Sequence, residues 1–229
     1  MLGRMEDGVK LRRDERGLAL VGAGMELRVD FAEMLPRVRQ DRLGHELVVR
    51  AARVKGVGHT VAWDATAGLG EDSFLLAAAG FEVELYERDA RVVALLRDGL
   101  DRAAGEPELA SIVCRMHLHE GDSIAALERL AAGVESSATV VPARPDVVYL
   151  DPMFPARSKS AAVKKKAQLM QQLEAPCTDE EACALVRAAL AARPRKVVVK
   201  RPLKGPHLAG VKPAYSVEGR SVRFDVLVP

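Results

Sequence analysis

Asp64-Ala65-Thr66-Ala67-Gly68-Leu69-Gly70 is the stretch that decides how this chain folds. Before it runs Thr60 to Trp63, short and apolar enough to read as a buried strand; after it comes a helical pattern from Asp72 to Ala79, closed by Gly80. Gly68 and Gly70 tolerate positive φ and carry no side chain, so the backbone between strand and helix can turn tightly and approach a ligand closely. The alternation then repeats. Val83 to Tyr86 reads as a second strand ending at Glu87, and Ala90 to Leu100 as a helix with Val92, Val93, Leu95, Leu96 and Leu100 on one face. Ile112 to Leu118 is expected as the third strand, Ile124 to Ala131 as a helix, and Val147 to Leu150 as the fourth strand, ending at Asp151. A helix across Cys183 to Ala191, a strand Lys196 to Lys200, and strands around Tyr215 and from Val222 to Val228 complete the pattern. Strands alternating with helices predict an α/β fold, a doubly wound and mostly parallel sheet with helices on both faces.

The first 59 residues read differently. Val9 to Leu11, Leu18 to Val21 and Met25 to Phe31 look like short antiparallel strands joined by turns at Asp14 to Gly17 and Gly22 to Gly24, and a helix over roughly Glu46 to Val54 follows. Residues 1–59 are therefore expected as an appendage and 60–229 as the main domain. With 229 residues, 48% hydrophobic and 29% charged, a disordered or fibrous chain is excluded. No apolar run reaches the roughly 20 residues of a membrane span, and Met1 to Lys10 lacks the apolar core of a signal peptide, so a cytoplasmic protein without a membrane partner is expected. Cys114, Cys177 and Cys183 have no spacing suited to zinc or a redox pair and are expected as buried apolar filler, with no metal site.

The net charge of +2 conceals an uneven distribution. Residues 1–59 carry 12 basic and 9 acidic side chains, 60–150 carry 7 and 16, and 151–229 carry 15 and 7. An acidic middle and a basic end suit two different partners, the basic end a polyanion; scatter over a solvated surface is the competing reading.

A nicotinamide or flavin site would show G-x-G-x-x-G, but Ser73 stands where the third glycine belongs. The D-x-x-x-G-x-G pattern better matches the turn of S-adenosylmethionine (SAM) methyltransferases, in which no pyrophosphate is held and an acid such as Asp64 can receive the cationic amino-acid part. Three more acids fall at strand ends, where a doubly wound sheet binds its ligands. Glu87 can accept both ribose hydroxyls of an adenosine, Asp122 with Ser123 can read the adenine edge, and Asp151 lies above the switch point. A helix cap is the competing reading for each, and a strong one for Asp122 with Ser123. Four acids on four successive strand ends exceed what caps require.

The fourth strand continues as Asp151-Pro152-Met153-Phe154-Pro155. Methylating an exocyclic amine is difficult because its lone pair is delocalised into the ring. The Asp151 carboxylate and the Pro152 carbonyl can accept its two N–H groups while Phe154 stacks on the base. A turn with Phe154 tucked into the core is the alternative. Beyond the loop come Arg157, Lys159 and Lys164-Lys165-Lys166, and Lys200-Arg201 at the end of the fifth strand, together expected as an edge for nucleic-acid phosphates, with Arg37, Arg39 and Arg42 adding to it. A solvated helix face is the usual explanation of such a lysine run.

Asp64 to Gly70, Tyr149-Leu-Asp-Pro-Met-Phe-Pro155, Ser160-Ala-Ala-Val-Lys-Lys165, Val197-Val-Val-Lys-Arg-Pro202 and Gly219-Arg-Ser-Val-Arg-Phe-Asp225 occur in the order in which the RsmJ family of bacterial SAM-dependent methyltransferases carries them, and the chain resembles that family over most of residues 60 to 229. The resemblance implies a Rossmann-like, seven-stranded class I methyltransferase fold, SAM as cofactor, and methylation of the exocyclic N2 of one guanosine in 16S ribosomal RNA, with that RNA or the small ribosomal subunit as partner. By position it places cofactor contacts on Glu71 and Asp72, Glu87 and Arg88, Asp122 and Ser123, and Asp151. Glu71 stands where relatives carry a basic residue, and Met153 replaces the second proline of the wider D/N-P-P-F/Y pattern. No metal or covalent nucleophile is needed, since a sulfonium is already an activated methyl donor. On the loop alone adenine N6 or cytosine N4 is an equally good target, and a non-catalytic RNA-binding protein that keeps the fold is the rival of a different class.

Overall fold

A computed structural model of the chain describes residues 9–22, 24–56, 58–133, 144–153, 169, 173 and 177–229. β1 (Lys10–Asp14), β2 (Gly17–Gly22) and β3 (Met25–Leu27) form a small antiparallel sheet; a 3-10 turn (Phe31–Met34) and the short helices α1 (Leu35–Val38), α2 (Gln40–Leu43) and α3 (Leu47–Ala52) follow. The main sheet begins with β4 (Thr60–Asp64) and alternates through α4 (Glu71–Ala78), β5 (Phe81–Glu87), α5 (Ala90–Ala104), α6 (Pro107–Val113), β6 (Met116–Glu120), α7 (Ser123–Ala131) and β7 (Val147–Leu150). After α8 (Asp179–Ala191) come β8 (Lys196–Pro202), β9 (Tyr215–Glu218) and β10 (Val222–Leu227).

The seven strands lie in the order β6-β5-β4-β7-β8-β10-β9. β4 to β8 run parallel, and β10 is antiparallel to both of its neighbours. The chain builds outward from β4 to β6, then returns to the other side of β4 with β7, which makes the β4–β7 gap the switch point. Strands covered on both faces are apolar at successive positions. Ala62, Val147, Tyr149 and Val198 point into one core with Phe74, Leu76 and Leu96; Val61, Trp63, Val148, Leu150, Val197 and Val199 point into the other with Leu127, Leu185 and Ala189.

The first core continues across the expected division at residue 59. Leu20, Leu27, Val29, Phe31, Met34 and Val48 belong to it, and the Phe31 ring stacks on Phe74 at 4.9 Å. On α5, Asp98 accepts the Leu18 N–H at 3.0 Å, Arg102 donates to the Val29 carbonyl, and Gly99 sits so close to Val29 that a Cβ would lie 2.4 Å from its Cγ1.

Two expectations are corrected. Ile112 to Leu118 is not one strand: Pro107 opens a helix to Val113, which buries Leu109 and Val113, and only Met116–Glu120 pairs with β5. Apolar residues four apart satisfied a helix, and proline is well placed in a first turn. The cysteines are not filler, since Cys114 and Cys183 are exposed and Cys177 is half-buried.

Candidate active site

Register brings the carboxyl ends of three strands level: Asp64 of β4 pairs with Leu85 of β5 and with Tyr149 of β7. The turn that follows is tied to both neighbours. On the β7 side the Ala65 N–H donates to the Tyr149 carbonyl at 3.0 Å, and the Thr66 hydroxyl accepts the Asp151 N–H at 2.6 Å. On the β5 side the Ala67 N–H donates to the Tyr86 carbonyl at 3.1 Å and the Gly68 N–H to Glu87 Oε2 at 2.9 Å. Gly70 caps α4 at φ +74°, and a Cβ there would lie 2.9 Å from Leu96 Cδ1, so glycine is required both by conformation and by space.

A cleft opens above these strand ends. The turn gives it Gly68, β5 gives Glu87 and Arg88, and the loop after β7 gives Asp151 and Pro152. Asp122 and Ser123 enter it from the start of α7, where Asp122 Oδ1 accepts the Ile124 N–H at 2.9 Å, so Asp122 is both a helix cap and a cleft residue. Glu87 Oε1 also accepts the Arg88 and Asp89 N–H groups, at 2.8 and 2.9 Å, which fixes the carboxylate at the cleft wall.

Sequence reasoning missed the far wall. Cys177, just before α8, and Glu181 and Leu185 within it line the cleft, and Glu181 Oε1 reaches Arg88 across it at 3.2 Å. The available signal was the capping box of Thr178 and Glu181, which marks a helix start. Tyr86, Ile124, Met153 and Leu185 supply apolar surface, and the charged lining, Glu87, Asp122, Asp151 and Glu181 against Arg88, is net negative. An apolar slot with a fixed carboxylate, a close-approach glycine turn and an acidic wall fits a nucleoside that carries a positive charge.

Other expected residues lie elsewhere. Asp64 is 2% exposed and sits beneath the turn, accepting the Thr66 N–H at 3.0 Å and the Ser73 hydroxyl at 2.6 Å. Burial pushes its pKa up to about 7; the two donors oppose this, and the charges of Asp72 and Asp151 add to it. Its place is inside the turn, not on the cleft wall. Gly70, Glu71 and Asp72 are likewise absent from the lining. Asp72 Oδ2 instead accepts the Tyr149 hydroxyl at 2.6 Å and the Lys200 ammonium at 2.7 Å.

Lys200 and Arg201 do not form the expected phosphate edge. Lys200 Nζ lies between Asp72 and Asp151, 2.9 Å from Asp151 Oδ2, because Leu150 pairs with Val199 and the next residues of β7 and β8 fall side by side. Arg201 is 4% exposed and donates to the Pro206 carbonyl at 2.9 Å. Burial lowers the Lys200 pKa, but the two carboxylates outweigh it and the net direction is up. For Asp72 burial raises the pKa, but Lys200, the Tyr149 hydroxyl and Arg37 together outweigh it and the net direction is down; for Asp151 burial wins over Lys200, and its pKa lies above the ordinary aspartate value. Phe154, Arg157, Lys159, Lys164, Lys165 and Lys166 lie outside the described residues.

Comparison with known proteins identifies the family. A protein family described as "Putative SAM-dependent methyltransferase" matches residues 4–229. The chain is 43% identical over 216 residues to "Ribosomal RNA small subunit methyltransferase J" of Neisseria meningitidis serogroup B, covering 94% of this chain and 82% of that protein. The protein of the same name from Pseudoalteromonas atlantica is 44% identical over 234 residues, covering 98% and 86%. The crystal structure of a SAM-dependent methyltransferase from Neisseria gonorrhoeae superposes with a TM-score of 0.76 at 33% identity over 100% of this chain and 86% of that one. The rRNA methyltransferase aviRa of Streptomyces viridochromogenes, at 18% identity and a TM-score of 0.51 over 82% and 84%, shares the fold.

Proposed function

The chain belongs to the family of SAM-dependent methyltransferases that its sequence matches from residue 4 to 229, and from that premise we propose that it methylates the exocyclic N2 of a guanosine in 16S ribosomal RNA. SAM is the cofactor, and the cleft residues fit it: Glu87 for the ribose hydroxyls, Asp122 with Ser123 and the apolar slot for the adenine, and the acidic wall for the positive end. When bound there, SAM supplies a methyl group already activated by its sulfonium.

The observation that carries the reaction is the placement of Asp151 and Pro152 at the switch point, on the rim of that cleft. Asp151 gives Oδ2 to Lys200, and its Oδ1 has no donor among the described residues, which leaves one carboxylate oxygen for a substrate N–H. The Pro152 carbonyl is the second acceptor, and Phe154 is assigned the base-stacking role. Two acceptors hold the amine in line with the incoming methyl, and the raised pKa of Asp151 suits a carboxylate that must share a proton of the amine as its nitrogen becomes bonded to carbon. The guanine target and the ribosomal RNA partner rest on the names of the relatives. Arg157, Lys159 and Lys164 to Lys166 are proposed to hold RNA phosphates, and a cytoplasmic location follows from that substrate.

Purified protein incubated with labelled SAM and small ribosomal subunits or 16S RNA from cells lacking the enzyme is expected to place label in N2-methylguanosine. Label in N6-methyladenosine or N4-methylcytosine would move the target to another amine. SAM-independent RNA binding without any label would favour the non-catalytic reading.

A further inference from the structure

We propose that Lys200, anchored by Asp72 and Tyr149, is a positioning residue that holds Asp151 ionised and in a single orientation at the substrate amine. This inference rests on the role assigned above to Asp151. Three elements meet in the arrangement. The Tyr149 hydroxyl of β7 donates to Asp72 Oδ2 at 2.6 Å; Lys200 Nζ of β8 donates to the same oxygen at 2.7 Å and lies 2.9 Å from Asp151 Oδ2. Asp72, in the first turn of α4, thus fixes the ammonium on one side, and the ammonium fixes the catalytic carboxylate on the other. The Thr66 hydroxyl holds the Asp151 backbone N–H at 2.6 Å, so both the main chain and one carboxylate oxygen of Asp151 are pinned.

Pinning Oδ2 makes Oδ1 the acceptor for the substrate. A carboxylate beside two like charges in a partly dry site tends to take up a proton, and a protonated Asp151 would lose acceptor strength at the amine. The groups facing Asp151 are Lys200 and Arg201 from β8, Asp72 from α4, Asp64 from β4 and Tyr149 from β7. Among the described residues Lys200 is the cation in contact with it, while Asp72 acts in two opposed ways: it orients Lys200, and its own charge disfavours ionisation of Asp151.

Opposite signs make the idea testable. Single-turnover methylation of 16S RNA would be followed from pH 5 to 9 for the wild type and for Lys200→Met, Lys200→Arg and Asp72→Asn, with SAM binding and thermal melting measured on each. Lys200→Met is expected to move the acid limb of the rate profile up by about 1 to 3 pH units, with at least about a tenfold lower rate near neutral pH, because an opposite charge at this distance lowers a carboxyl pKa by that amount. Asp72→Asn is expected to move the limb down, and Lys200→Arg, which keeps the charge, to return it toward the wild-type position. The SAM dissociation constant of Lys200→Met should stay within about threefold, since Lys200 is outside the cleft lining. Lower rates with unshifted limbs in both Lys200→Met and Asp72→Asn overturn the inference, as does loss of SAM binding by Lys200→Met; if Lys200→Met does not fold, the downward shift of Asp72→Asn, with Lys200→Arg at the wild-type position, still decides. A wild-type enzyme that leaves guanosine unmethylated would sink the proposed reaction itself, a result distinct from active enzyme with unmoved limbs.

Discussion

Replacing Asp64 by Asn should remove a pH dependence of stability that the fold imposes. Asp64 is 2% exposed, and its pKa is raised from 3.8 to about 7, chiefly by burial. A folded-state pKa above the unfolded one means that the native state binds the proton more tightly. Its contribution is fully present below pH 3.8 and is lost as pH rises toward 7. The whole gap is on the order of 4 kcal/mol. Integrated from pH 5 to 8, it amounts to roughly 2.5 kcal/mol, most of it gone by pH 7. Asn has the same shape and can still accept the Thr66 N–H, while its amide can donate to the Ser73 hydroxyl. Urea titrations at pH 5, 6, 7 and 8 would read the difference through the fluorescence of Trp63, the only tryptophan, buried beside Asp64 in β4. All other titrating groups are common to both proteins and largely cancel. The wild type should lose roughly 2.5 kcal/mol relative to Asp64→Asn across that range, with little further change above pH 8. A difference constant to about 0.5 kcal/mol would refute the reasoning, since Asp64 would then ionise as if in water.

Three further substitutions probe the frame of the site. Gly70→Ala, forced to φ +74° with its Cβ 2.9 Å from Leu96 Cδ1, should cost about 1 to 2 kcal/mol in chemical denaturation and weaken SAM binding measured by calorimetry. Glu87→Ala removes the acceptor of the Gly68, Arg88 and Asp89 N–H groups, and a SAM affinity at least about tenfold lower is expected; unchanged affinity would remove Glu87 from the cofactor site. Gly99→Ala would raise stability by up to about 1 kcal/mol in an exposed helix, but here the added Cβ lies 2.4 Å from Val29 Cγ1, so scanning calorimetry should show a lower Tm instead.

Much of the fold was legible because its signals are local. Asp64 to Gly70 identified the first strand-turn-helix unit, and acids at strand ends pointed to the cleft, where Glu87, Asp122 and Asp151 are found. What escaped depends on register and on which way a side chain turns. Lys200 and Arg201 read as a basic edge; the pairing of Leu150 with Val199 shows that Lys200 falls beside Asp151, and Arg201 is buried and donates to the Pro206 carbonyl. The family resemblance implied a cofactor contact at Asp72, whose side chain, in the first turn of α4, meets Tyr149 and Lys200. The wall built by Cys177, Glu181 and Leu185 comes from α8 and the residues just before it, more than 20 residues beyond the D-P-M-F-P loop, and no local pattern ties the two together.

The central claim is that Asp151 at the switch point directs methyl transfer to a guanine amine of ribosomal RNA. Nucleoside mass spectrometry of 16S RNA, from cells lacking the enzyme and treated with SAM and either the wild type or Asp151→Ala, tests it most directly. The account predicts N2-methylguanosine at one site with the wild type and none with Asp151→Ala, the variant remaining folded and able to bind SAM. N2-methylguanosine formed equally well by Asp151→Ala, or its absence with a folded, SAM-binding wild type, would contradict the account.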